Sequence, residues 1–72
     1  MEVVHIDVSE LAPPEPMTKI ISALAMLTPQ QYLVVKHCRQ PFPLYEKLQA
    51  AGWEYQCQQN GENQFTISIY QK

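Results

Sequence analysis

Two glycines, two cysteines and one tryptophan are all that 72 residues contain of three structurally eloquent residue types. So little glycine beside 46% hydrophobic residues argues against a flexible tail and for a packed globule. The cysteines, Cys38 and Cys57, have neither CxxC spacing nor a flanking histidine ladder, so neither a zinc site nor a disulfide framework is indicated. Two free thiols in a reducing cytosol are expected. Basic residues are also scarce: five Lys and Arg against seven Asp and Glu give a net charge of −2. Nucleic-acid binding needs a basic face that releases phosphate counterions, so no RNA or DNA partner is expected. No apolar run approaches the roughly 18 to 20 residues that span a bilayer, and Met1-Glu2-Val3 lacks the basic lead of a signal peptide. A cytoplasmic protein with no membrane partner is the expectation. Neither repeat nor linker interrupts the chain, and the Gln-Gln-Asn-Gly-Glu-Asn patch at 58–63 is only a short polar turn. Residues 1–72 therefore read as a single domain, with a core expected to be marginal because domains of this size bury about 60% of the unfolded surface.

Proline, by contrast, is well used, and it punctuates the chain. Val3 to Val8 alternates as a first strand, with Val4, Ile6 and Val8 on one face and Val3, His5 and Asp7 on the other. Leu11-Ala12-Pro13-Pro14-Glu15-Pro16-Met17 then turns an extended run into a helix. Proline has no N–H and holds φ near −65°, so it suits the first helical turn. That helix should run from about Glu15 to Leu27, with Met17, Ile20, Ile21, Leu24 and Leu27 as its apolar stripe. Thr28-Pro29-Gln30 stops it, and Tyr32 to Cys38 alternates as a second strand with Leu33 and Val35 on one face. Pro41-Phe42-Pro43-Leu44-Tyr45 opens a second helix that continues to Ala51, carries Leu44, Tyr45, Leu48 and Ala51 on one side, and closes at Gly52. Trp53, Tyr55 and Cys57 alternate as strand three. Asn60-Gly61 is the strongest hairpin signal, and Phe65, Ile67 and Ile69 mark the inward side of strand four.

The order βαβαββ implies a right-handed parallel crossover between the first two strands and an α+β fold. Its economical form is a two-layer α/β sandwich, a four-stranded mixed sheet of order 1-2-4-3 with both helices on one face. The open face would carry Val3, His5, Tyr32, Val34, Lys36, Cys38, Thr66, Ser68 and Tyr70.

Pro13-Pro14-Glu15-Pro16 resembles the Cys-Pro-x-Pro signature of the TusA/SirA sulfur-carrier family, with Pro13 where that family places its cysteine. The likeness covers nearly the whole chain. It looks closest to the uncharacterised branch known as domain of unknown function 2249, on Asp7 to Leu11, Pro13 to Pro16, and His37-Cys38-Arg39-Gln40-Pro41-Phe42-Pro43-Leu44. The resemblance implies the same sheet order. The carriers pass a persulfide from the motif cysteine to a partner protein in sulfur relay, and Pro13 has no nucleophile for that chemistry.

In a parallel βαβ arrangement the C-terminal strand ends and both helix N-termini share one edge. Asp7, Pro13, Pro14, Glu15, His37, Arg39 and Pro43 should gather there as a docking or anion-binding edge, since helix N-termini offer free N–H groups. The plainer reading has His37 packing between the helix starts and Arg39 pairing with Asp7 or Glu15. Cys38 near this edge is a conceivable reactive thiol, though alternation points it away from His37. Cys57 and Trp53 read as core, His5 with Asp7 as a solvated strand face, and no cofactor, metal or catalytic residue is called for.

Val3, Tyr32, Val34 and Tyr70 form an apolar patch on the open face, suited to a homodimer or a docked domain. The leading expectation is a non-catalytic interaction module beside a redox, sulfur-transfer or metal-handling protein partner. A small anionic ligand or cofactor binder at the paired helix N-termini is the alternative, and a sulfur carrier through Cys38 the third.

Overall fold

The computed structural model describes residues 2–71, in the order β1 (Glu2–Asp7), α1 (Glu15–Ala25), β2 (Gln31–His37), α2 (Phe42–Ala50), β3 (Trp53–Gly61) and β4 (Gln64–Gln71). The four strands form one mixed sheet of order β1-β2-β4-β3. β1 runs parallel to β2, as the crossover through α1 requires, while β4 is antiparallel to both β2 and β3. α1 packs over β2 and α2 over β3.

One core lies between the layers. Leu33 and Val35 of β2 and Ile67 and Ile69 of β4 are wholly buried, and the helices cover them with Ile20, Leu24, Leu44, Tyr45 and Leu48. β2 and β4 supply the centre because each is hydrogen-bonded on both sides, which leaves β1 and β3 as edges. Fully burying a Leu or Ile side chain contributes roughly 1.5–3 kcal/mol, so these few side chains supply the main cohesive force of the domain. Val4 and Ile6 face the same way half-buried, and Val8, one residue past β1, is fully buried. Trp53, Tyr55 and Cys57 are half-buried against the core, with Tyr55 stacked on Tyr45 at 4.2 Å between ring centroids.

Proline fixes the helix starts. Pro14 is the N-cap of α1 and Pro16 lies in its first turn, behind a cis Pro13–Pro14 bond; Pro41 and Pro43 hold the same places at α2. Gly52 closes α2 at φ +85°, the left-handed conformation that glycine adopts without penalty.

The structure departs from the sequence expectations at several places. α1 ends at Ala25, not Leu27, and Ile21 of the expected stripe is 42% exposed. The sheet meets only a narrow strip of an 11-residue helix, centred on Ile20 and Leu24, and Ile21 lies one step around the cylinder. Ala51 is likewise exposed beyond the end of α2. β2 stops at His37, where its pairing with β4 ends at Phe65, so Cys38 belongs to no strand and the alternation that assigned it to the open face does not apply. The hairpin tip is Glu62-Asn63, not Asn60-Gly61. Gly61 pairs with Gln64, Asn63 takes the positive φ of 58°, and the register shifts between Gln59 and Gly61, making Asn60 a bulge residue. Asn60 is held there by its side chain, whose Oδ1 accepts from Thr66 Oγ1 at 2.6 Å.

Candidate functional site

The register brings three chain segments to one rim. β1 ends at Asp7 opposite Lys36, β2 ends at His37 opposite Phe65, and Lys36 pairs with Thr66 on β4. Because β4 runs antiparallel to β2, the β3–β4 hairpin tip arrives at the same rim as the C-terminal ends of β1 and β2. Val8 N donates to Lys36 O at 2.9 Å, extending the parallel pairing to the edge itself. An open cavity of about 460 Å³ lies here, lined by Asp7, Ser9, Lys36, His37, Asn60 and Thr66, with the hairpin tip closing one side.

His37 is the buried polar side chain of this rim, 5% exposed. It follows Leu33 and Val35 in the inward alternation of β2, so strand geometry carries it into the core margin. Its Nδ1 accepts the Arg39 amide N–H at 3.3 Å as the chain turns out of the strand. An accepting Nδ1 assigns the proton of the neutral ring to Nε2. Desolvation, followed by the Arg39 charge, lowers the His37 pKa below its usual 6.5, so the ring stands neutral at physiological pH.

Asp7 is exposed and ionised. The Ser9 hydroxyl lowers its pKa most and the Ser9 amide, donating at 2.9 Å, adds to this; desolvation opposes them, and the Lys36 and Lys19 charges lower it further at longer range. These hydrogen bonds come from Ser9 and not from Arg39.

Of the residues expected to share the edge, the cavity joins Asp7 and His37. Pro13, Pro14, Glu15, Arg39 and Pro43 are exposed near the helix starts and do not line it. The helix N-termini also differ from expectation. Phe42 N donates to Gln40 O, Leu44 N and Tyr45 N both donate to Pro41 O, Glu15 N donates to Ala12 O, and Thr18 N to Pro14 O. Pro16 and Pro43 have no N–H at all. The donors that make helix starts attractive to anions are thus largely consumed by local carbonyls or missing.

Ser9, Lys36, Asn60 and Thr66 were not singled out as rim residues from the sequence. The signal was there: a 1-2-4-3 sheet with strand four antiparallel places the last turn beside the ends of strands one and two. The apolar residues of the open face, Tyr32, Val34 and Tyr70, are half-buried, and Val3 is 39% exposed. Cys38 is a half-buried free thiol just beyond β2, and Cys57 a half-buried free thiol on β3. Among the described residues no helix is long and apolar enough to cross a membrane, and no three His, Cys, Asp or Glu side chains cluster to hold a metal.

Fold and rim together define a small α+β domain with a polar cavity at its strand ends. The chain belongs to the family described as Uncharacterized conserved protein (DUF2249), whose model matches residues 5–71. No curated protein and no solved structure matches it.

Proposed function

We propose that the chain is a non-catalytic interaction module of TusA-like descent that docks a protein partner through its strand-end rim. The observation that carries this reading is the open polar cavity at the strand-end rim, where the exposed Asp7 and Lys36 side chains stand beside the 5% exposed His37. Exposed charge of both signs at a concave rim suits electrostatic complementarity with a protein partner. The TusA/SirA likeness supports a partner engaged in redox, sulfur-transfer or metal handling, in which the rim has kept its docking role while Pro13 removes the carrier thiol. The protein acts in the cytoplasm on this reading.

The test is the native partner that copurifies with the tagged full-length chain. Lys36→Glu changes the rim without touching the core, and it should abolish copurification; Lys47→Glu on the outer side of α2 should not. Equal behaviour of the two variants would reject the rim as the docking surface. Cys38→Ser should leave copurification intact, whereas loss would favour a carrier role for that thiol.

A further inference from the structure

The rim cavity holds one charge of each sign, and neither is spent on the other. Asp7 and Lys36 are register partners on neighbouring parallel strands, both exposed at the cavity, yet the hydrogen bonds to Asp7 Oδ1 come from Ser9. The second carboxylate oxygen remains available. Beside these charges stands a directed neutral donor. Asn60 Oδ1 is occupied by the Thr66 hydroxyl at 2.6 Å, which leaves its amide N–H groups to donate. The wall formed by Lys36 and Asn60 therefore donates, and the Asp7 side is an acceptor.

A simple anion drawn to Lys36 would be repelled by Asp7, and a simple cation would meet the reverse, so attraction and repulsion nearly cancel for either. A ligand with both charges satisfies both walls. We propose that the cavity binds a small zwitterion of the α-amino-acid class, its carboxylate on Lys36 and Asn60 and its ammonium on the free oxygen of Asp7. The volume of about 460 Å³ lies within the range of about 300–1,000 Å³ usual for small-molecule sites and leaves room for a side chain. This inference rests on the reading of the rim as the working surface, and it does not depend on the protein partner.

The test is backbone-amide NMR of the full chain titrated with each of the common L-α-amino acids, and separately with acetate, methylammonium and inorganic phosphate. At least one amino acid should give saturable shifts at Asp7, Lys36, His37 and Thr66, at least about tenfold tighter than acetate or methylammonium. Asp7→Asn and Lys36→Gln, both on exposed side chains, should each weaken that binding about tenfold while the remaining spectrum keeps its dispersion. Acetate or phosphate matching the amino acid would make this an anion site, methylammonium matching it a cation site, and no saturable shift from any amino acid would end the proposal. Partner copurification lost on Lys36→Glu without amino-acid binding removes this inference alone. Amino-acid binding with unaltered copurification removes the docking reading alone.

Discussion

His37 couples the rim to the stability of the domain. Protonating Nδ1 would set an N–H against the Arg39 N–H that now donates to it, and burial opposes the charge as well. The folded-state pKa is therefore depressed while the unfolded chain titrates near 6.5, so below that value the unfolded state binds the extra proton. The stabilising contribution is fully present above 6.5 and is lost as pH falls through the window beneath it. Urea midpoints should fall between about pH 7.5 and about pH 5.5, and His37→Asn should flatten that dependence. An unchanged slope in the variant would place the acid sensitivity elsewhere. Asp7 acts in a lower window: its depressed pKa contributes stability above 3.8 that is lost as pH falls through the folded value. The buried position of His37 followed from the alternation of Leu33 and Val35. Its hydrogen bond to Arg39 did not, because it depends on where the strand stops, and that is set by β4.

At the scale of elements, each helix is held by a few positions and each turn by one. Leu24 is 7% exposed in the last turn of α1, and Leu24→Ala should cost about 2–5 kcal/mol by chemical denaturation. Ile21→Ala, three residues before it, should cost less than about 1 kcal/mol because that side chain is 42% exposed. Equal losses would mean that α1 is rotated from the orientation described. The two glycines offer a second contrast. A Cβ at Gly52 would meet nothing within 4 Å, so Gly52→Ala isolates the strain of φ +85°, about 1–2 kcal/mol. At Gly61 the nearest atom to a Cβ is the mobile Gln64 Oε1 at 3.3 Å and φ is not positive, so Gly61→Ala should cost less than Gly52→Ala. A larger loss at Gly61 would return the turn to Asn60-Gly61. Asn-Gly attracts a type I′ reading from local chemistry alone, but the side-chain bond from Thr66 to Asn60 favours a bulge there and moves the tip two residues on. That bond joins residues brought together only once β3 and β4 pair, so local turn chemistry could not register it.

For the whole molecule, element order, the parallel crossover and the 1-2-4-3 sheet were legible because periodicity and proline placement are local signals that agree with one another. The site was legible only in outline. Strand order puts Asp7 and His37 at one rim, where both line the cavity, whereas the helix starts lose their free donors to backbone carbonyls that no spacing rule reveals. The rim also lies far from Trp53. That residue begins β3, pairs with Gln71 and stands about 26 Å along the strand from Gly61, taking about 3.3 Å per residue. Indole emission should therefore follow global melting and stay blind to occupancy of the cavity, so a fluorimeter alone would score a genuine ligand as silent.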